Sequence, residues 1–218
     1  MFSNLFSFFG HIDIYKTIMT IQEKCNYIKE FVPSVWSGHS KFADWLMRYK
    51  NPSVMVDLGV DSGCSTFSFA VCGIGTVYGI DWFRGDPNTG YRDEKTKIEV
   101  MKHINVLDLF NVNIMHMSFD DALRDWTLPI DILHIDGYHA YDAVSHDYRE
   151  WTKFLKPNGV VLLHDTCTEW LSVKEWFHEI QEPKLNFTNS YGLGVVSKDI
   201  ELLQTIRNNF APLMDSRY

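Results

Sequence analysis

The sequence predicts an α/β protein built on an open, doubly wound, mostly parallel sheet, closed at its C-terminal end by an antiparallel hairpin. Three observations carry this prediction. Short β-rich runs alternate with segments of helical periodicity from about residue 53 to residue 180. Several of those runs end in a glycine-rich or acidic cluster. Near the C-terminus two β-like runs are joined by a short turn, Ser190-Tyr191-Gly192. Strands alternating with helices need right-handed crossovers and therefore pair in parallel, whereas two runs joined by a tight turn pair antiparallel.

The elements follow in order. Trp36, Phe42, Trp45, Leu46 and Tyr49 recur at near-helical spacing over 35–50, and Asn51-Pro52 stops the run. SVMVDLGV (53–60) reads as a strand, DSGCST as a turn, and FSFAVCG as a small-residue helix ending near Gly73. TVYGID (76–81) is the second strand, followed by a helix over 95–110 with apolar Ile98, Met101, Ile104, Val106 and Leu107. NVNIMHM (111–117) is the third strand, and a short helix over DDALRDW follows, capped by Ser118 or Asp120. IDILHID (130–136) is the fourth strand. It leads into a helix over roughly 139–155 with Val144, Tyr148, Trp151 and Leu155 on one face, ended by KPN and Gly159. VVLLHD is the fifth strand, and a helix spans roughly 170–180. KLNFTN and GLGVVSK form the hairpin, and a helix over 199–210 closes the domain.

Composition narrows the function. The 218 residues, 45% hydrophobic with seven Trp, suffice for one well-filled core without metal or disulfide staples. The expected organisation is an N-terminal arm or helix (1–34) before a single domain (35–218). A formal charge of −8 argues against a protein that grips nucleic acid through its phosphates. Cys25, Cys64, Cys72 and Cys167 show no Cys-x-x-Cys spacing and fit free thiols in a reducing cytoplasm. The start, MFSNLFSFFGHIDIY, is apolar but lacks a basic leader region, and no stretch approaches the ~18 apolar residues of a membrane span. It is expected to pack against its own or a sister subunit, so a homo-oligomer is one expectation.

In an open α/β sheet, ligands bind beyond the carboxyl ends of the strands. There the first strand closes on Asp57, with Gly59 and Gly63 allowing close backbone approach and Ser65 opening a helix. Asp81 ends the second strand at a distance from this loop that suits an acid accepting hydrogen bonds from both ribose hydroxyls. The fourth and fifth strands end in matched pairs, Asp136 with His139 and His164 with Asp165. Neighbouring parallel strands lie ~4.8 Å apart, so the two carboxylates converge. Two readings stay open. The acids hold a divalent metal with His139 or His164, or they orient those histidines, one of which is a general base. His134, mid-strand, and His146, on a helix face with Arg149 and Glu150, read as structural or solvated; His39 is a candidate to reach over the pocket. The polar segment 82–95 has the makeup of a lid, which makes Arg84, Asp86 and Tyr91 candidate substrate contacts, with the SYGLG turn at 190–194 another.

The acid-Leu-Gly-x-x-x-Gly loop, the tip acid on strand two, MSFDD after strand three and the terminal hairpin resemble class I S-adenosylmethionine-dependent methyltransferases across almost the whole chain. FADWLMRYKNPSVMVDLGVDSGCSTFSFA, DWFRGDPNTGY, ILHIDGYHAYDAVSHDYREWTKFLKPNGVVLLHDT and YGLGVV are similar to the methyltransferase family found beside, or fused to, glycosyltransferases of surface-polysaccharide synthesis. The resemblance implies a Rossmann-like sheet of seven strands, helices on both faces, and S-adenosyl-L-methionine as cofactor. It implies that Asp57, Gly59, Val60, Gly63 and Ser65 line the methionine part, and Asp81 and Trp82 the ribose and adenine. Ser118, Phe119 and Asp120 would line the adenine edge, and Asp136 would be shared with the acceptor site. The two strand-end acids are similar to those with which metal-dependent O-methyltransferases of the catechol and sugar types hold Mg²⁺ or Mn²⁺. Thr166 stands where those enzymes usually carry a further Asn or Asp. The expected activity is O-methylation of a saccharide hydroxyl, in a glycan or a nucleotide-linked sugar, beside a glycosyltransferase partner. The alternatives are a phenol or catechol acceptor, or a non-catalytic cofactor-binding accessory module.

Overall fold

Val54–Leu58 (β1), Thr76–Asp81 (β2), Val112–His116 (β5), Ile130–Ile135 (β6) and Leu155–His164 (β7) are the parallel strands of one seven-stranded sheet. Lys184–Phe187 (β8) and Leu193–Ser197 (β9) complete it, with β9 antiparallel to both β7 and β8. The strand order is β5-β2-β1-β6-β7-β9-β8. The chain winds outward from β1 through β2 to β5 and then returns to the other side of β1 with β6. The switch point between β1 and β6 is where such sheets open a crevice. Residues 19–87, 90–169 and 172–218 are described by this computed structural model, and the aromatic start of the chain lies outside them.

Both faces of the sheet are covered, as a parallel sheet requires. Met55, Val77, Ile132, Val160 and Leu162 face one core, which Ile21–Phe31 (α1), Ser40–Lys50 (α2), Cys64–Ala70 (α3), Glu94–Leu107 (α4) and Ile200–Phe210 (α8) cover. Val56, Leu58, Ile80, Leu133, Ile135, Val161 and Leu163 face the other, under Phe119–Asp125 (α5), Tyr141–Trp151 (α6) and Val173–Glu179 (α7). Thr20 and Glu23 form a reciprocal capping box on α1, which buries Ile28 against the first core. Among the described residues no helix is long and apolar enough to cross a membrane.

Four local details sharpen the expected elements. The run over 35–50 is a 3-10 turn, Val35–His39, followed by α2; Ser34 Oγ accepts from Trp36 N at 3.2 Å and sets the tighter start. On α4 the inward stripe is Val100, Ile104 and Leu107, an i, i+4, i+7 set, while Ile98, Met101 and Val106 are exposed. The helix expected to 155 stops at Trp151 and a short 3-10 turn, Thr152–Phe154, and Leu155 already pairs with Ile130. Pro157 lacks a ladder donor, so the regular register resumes only at Val160, opposite Ile132. The polar segment 82–95 holds a two-stranded hairpin, Gly85–Asp86 (β3) with Gly90–Tyr91 (β4), before α4.

Candidate functional site

A cavity of about 750 Å³ lies over the carboxyl ends of β1, β2, β6 and β7, within the range of small-molecule and cofactor sites. Its floor is tied across three strands: Gly59 N donates to Ile80 O at 3.0 Å, and Asp136 N to Leu58 O at 2.8 Å. Gly59, at φ +100°, lies so close to the Asp136 carbonyl that a Cβ there would collide with it. This is the close approach that the glycine loop demands.

Asp57 takes a different place from the one expected. It is fully buried and does not line the cavity. Its Oδ2 accepts from Ser65 Oγ at 2.8 Å and Thr66 Oγ1 at 2.6 Å, and its Oδ1 lies 2.6 Å from His134 Nδ1. Trp36 Nε1, which can only donate, lies 3.1 Å from His134 Nε2. That fixes the tautomer: His134 Nδ1 carries the proton and donates it to Asp57. Asp57 thus anchors the start of α3 and, through His134, the 3-10 turn that places Trp36 at the cavity. Gly63, the N-cap of α3, also lies behind the lining, whereas Gly59, Val60 and Ser65 reach it.

Asp81 sits where expected, at the tip of β2 and in the lining. Burial raises its pKa, and the N–H groups of Asp61 (2.8 Å) and Phe83 (2.6 Å), which its carboxylate accepts, work against that rise. Trp82, Ser118, Phe119 and Asp120 line the same end. Ser118 is the cap of α5, accepting from Asp121 N at 3.1 Å. His146 is not merely solvated: it lines the cavity and pairs with Asp120 at 2.8 Å. With Asp142, Ala143 and Asp147 it forms a stripe on α6 facing the cavity, beside the apolar stripe that the periodicity shows.

At the opposite end the structure brings Asp136, His139, His164 and Asp165 together in the lining. His139 Nε2 lies 2.8 Å from Asp165 Oδ2 and 3.5 Å from Asp136 Oδ1, yet neither ring nitrogen makes an aligned hydrogen bond with a described residue. His164 Nδ1 lies 3.2 Å from Asp165 and 3.4 Å from Asp136, and its Nε2 donates to Ser190 O at 2.9 Å. Burial opposes charge on both imidazoles, but the paired carboxylates raise each to about 10. Conversely, burial would raise the acids, and the two imidazoles hold Asp136 well below, and Asp165 below, the ordinary value. The site favours positive charge between its two acids. One ligand atom each from Asp136, His139 and Asp165 lie within 4.8 Å of one another, close enough to hold a metal ion.

Local backbone explains the aim of these groups. Asp165 adopts φ +63°, a left-handed conformation held by its N–H to Gly192 O (3.1 Å) and by Thr168 Oγ1 to its carbonyl (2.8 Å). Thr166 turns the other way, its hydroxyl 2.6 Å from the Asn186 side-chain amide, and contributes nothing to the cavity. Neither His139 nor Asp142 caps α6, whose N-cap is Ala140. His39 is buried behind the site, edge-on to Trp36, His164 and Phe187, and does not reach into the cavity; burial and His164 lower its pKa to about 3. Of the expected substrate contacts, Asp86 lines the cavity; Arg84 lies over the Trp82 ring, and Tyr91 is 84% exposed. Arg92 lines the cavity instead, its Nε donating to Asp61 at 2.6 Å. Tyr191 of the SYGLG turn, Trp36 and Tyr138 add aromatic walls.

Known proteins share this architecture. The chain is similar to an O-methyltransferase from Bacillus cereus crystallised with SAH: TM-score 0.60, 16% identity, covering 82% of this chain and 89% of that one. It is also similar to TomG from Streptomyces achromogenes, an O-methyltransferase of tomaymycin synthesis crystallised with SAM: TM-score 0.56, 12% identity, covering 84% and 92%. At these identities the likeness is one of fold. An uncharacterized protein, y4gI, of Sinorhizobium fredii (strain NBRC 101917 / NGR234) is 32% identical over 173 residues, 75% of this chain. The chain spans only 19% of that relative's length. Residues 56–166, from β1 to the end of the strand-end cluster, match a family model described as a methyltransferase domain, and the chain belongs to that methyltransferase domain family.

Proposed function

We propose that the chain is an S-adenosylmethionine-dependent O-methyltransferase acting on a saccharide hydroxyl, in a glycan or a nucleotide-linked sugar. One observation carries this reading: a nucleoside-type acid, Asp81, and an acid-imidazole cluster, Asp136-His139-Asp165, open into one cavity from strand tips on either side of β1. Asp81 would accept from the ribose hydroxyls, and Gly59 and Val60 would let the methionine part lie along the loop toward Asp136. The acceptor would then enter between His139, Asp165, Trp36 and Tyr191.

Methyl transfer is an in-line displacement. The acceptor oxygen forms a bond to the methyl carbon as the carbon-sulfur bond breaks, leaving S-adenosylhomocysteine, and the hydroxyl proton must leave the oxygen. The sulfonium supplies the activation, so the protein's task is alignment and proton removal. The strand-end cluster lies where that proton would depart, and His164, tied to Ser190, is a positioning residue for the two acids. The cluster also fits a divalent ion: two carboxylate oxygens and an imidazole nitrogen converge, with the His139 ring lacking any aligned hydrogen bond among the described residues. Asp136, His139 and Asp165 would hold Mg²⁺ or Mn²⁺, which when bound would polarise the acceptor oxygen and ease its deprotonation.

Incubation with methyl-labelled cofactor and a panel of sugar nucleotides, glycans and phenols, with and without EDTA, tests the reading. Label is expected on a sugar hydroxyl, with loss of turnover in EDTA restored by Mg²⁺ or Mn²⁺. Label on phenols alone would support the second acceptor class, which the aromatic walls Trp36, Tyr138 and Tyr191 also suit. Cofactor binding without transfer to any acceptor would favour an accessory module. Residence in the cytoplasm, a homo-oligomeric state and a glycosyltransferase partner belong to the same proposal, and fractionation with co-purification from the source cell tests them.

A further inference from the structure

Tyr138 and Tyr191 stand at the cavity with no task in the fold. Both belong to its lining and stay 44% and 49% exposed. Among the described residues neither side chain has a hydrogen-bonding or ring partner. Each sits on a loop tied to the strand-end cluster. Tyr138 directly precedes His139, and Tyr191 directly follows Ser190, whose carbonyl accepts from His164 Nε2 at 2.9 Å. Ser190 and Tyr191 adopt φ +50° and +66°, a left-handed conformation that is unfavourable for a bulky side chain. Three backbone bonds hold it: Gly192 N to Asn189 O (2.8 Å), Cys167 N to Tyr191 O (2.8 Å) and Asp165 N to Gly192 O (3.1 Å). The turn thus fixes an aromatic ring beside the acids, where packing does not need one.

The charges beside these rings narrow what they meet. Among the described lining residues Arg92 is the one Lys or Arg. It is bound to Asp61 at 2.6 Å, whose own N–H donates to Asp81, so it serves the far end of the cavity. Beside the tyrosines, Asp136 and Asp165 stand against His139 and His164, which leaves no net positive charge. A diphosphate brought here would lose water and gain no guanidinium or ammonium in its place. A pyranose suits the same walls. Its C–H faces lie against aromatic rings, and its several hydroxyls donate to carboxylates.

We propose that the acceptor is an uncharged sugar unit of a glycan, stacked on Tyr138 and Tyr191, and that the site discriminates against sugars linked to a diphosphate. This rests on the O-methyltransferase reading above and chooses between its two kinds of saccharide.

Transfer from methyl-labelled cofactor to matched pairs of acceptors, in one Mg²⁺ buffer, tests the inference. Each pair is a methyl glycoside and the nucleoside-diphosphate-linked form of the same sugar, over a panel of hexoses and deoxyhexoses. The glycoside should show a kcat/KM at least about tenfold above that of its nucleotide-linked partner. Tyr138→Ala and Tyr191→Ala should each raise the glycoside KM by about 3- to 10-fold, with calorimetric affinity for S-adenosylhomocysteine held within about twofold. Tyr191→Phe, which keeps the ring face, should hold the glycoside KM within about twofold. Nucleotide-linked sugars used as well as the glycosides or better, or a glycoside KM that both alanine variants leave unchanged, overturn the inference and leave saccharide O-methylation intact. The wild-type pairs decide even where an alanine variant does not fold. Transfer to neither member of any pair, by wild type that binds S-adenosylhomocysteine, overturns the saccharide reading and this inference with it.

Discussion

Asp57 accepts three side-chain hydrogen bonds in a site without solvent, from Ser65, Thr66 and His134. Removing one partner leaves a buried acceptor short of a donor, a larger penalty than the bond's net worth. His134→Leu should therefore cost about 2–4 kcal/mol of unfolding free energy, read by urea denaturation, and should loosen Trp36 as well. Asp165→Ala has a different signature. Transfer should fall by at least the ~10²-fold typical of losing a proton-handling group, while affinity for S-adenosylhomocysteine changes little, since Asp165 lies at the acceptor end. Unchanged turnover in Asp165→Ala would remove it from the chemistry. Asp147 gives a pH signature. A carboxyl whose folded pKa is raised to about 7 binds more protons folded than unfolded, so its contribution to stability falls as pH rises from about 4 to about 7. Asp147→Asn lacks this loss. Its stability relative to wild type should grow across that window by up to ~1.4 kcal/mol per pH unit and level off above it, as read by thermal unfolding.

Short elements position the site, and they are sensitive to their caps. α5 has only seven residues, Phe119–Asp125, and Ser118 satisfies one of its free N–H groups. Ser118→Ala should cost about 1 kcal/mol of stability and weaken cofactor affinity, because Phe119 rides on the first turn of this helix. The elements also show what the sequence makes legible. Strand tips ending in Asp81, Asp136 and Asp165 are visible because an acid after an apolar run has few structural reasons to be there. The cavity-facing stripe of α6, residues 142, 143, 146 and 147, escaped because it flanks the apolar face and mixes Asp, Ala and His. The one available signal was an acid at 147 directly beside the buried positions 144, 148 and 151. The phase of α4 is not legible in the sequence for a related reason. With apolar residues on both stripes, composition alone could not say that Val100, Ile104 and Leu107 face inward. The place of Asp57 was hidden because its partners lie 8, 9 and 77 residues away, and only the last contact crosses from one strand to another.

At the scale of the molecule, the sheet order explains why the tips of β2, β6 and β7 open into one cavity. The switch point between β1 and β6 parts the helices, and Gly59 lets the loop after β1 rest on the Asp136 backbone. A ligand crossing that point runs from the β2 tip, at Asp81, to the β6 and β7 tips, at Asp136 and Asp165. The antiparallel hairpin at the far edge has its own part: the turn between β8 and β9 delivers the Ser190 carbonyl to His164 and Tyr191 to the cavity wall. The central claim is that this single cavity holds S-adenosylmethionine with its nucleoside at Asp81 and its methyl toward Asp165. Calorimetric titration of S-adenosylhomocysteine into wild type, Asp81→Ala and Asp165→Ala tests it most directly. One-to-one binding in wild type, lowered at least tenfold by Asp81→Ala and retained in Asp165→Ala, is the predicted result. Absence of binding in folded wild type, or an affinity that Asp81→Ala leaves untouched, would contradict it.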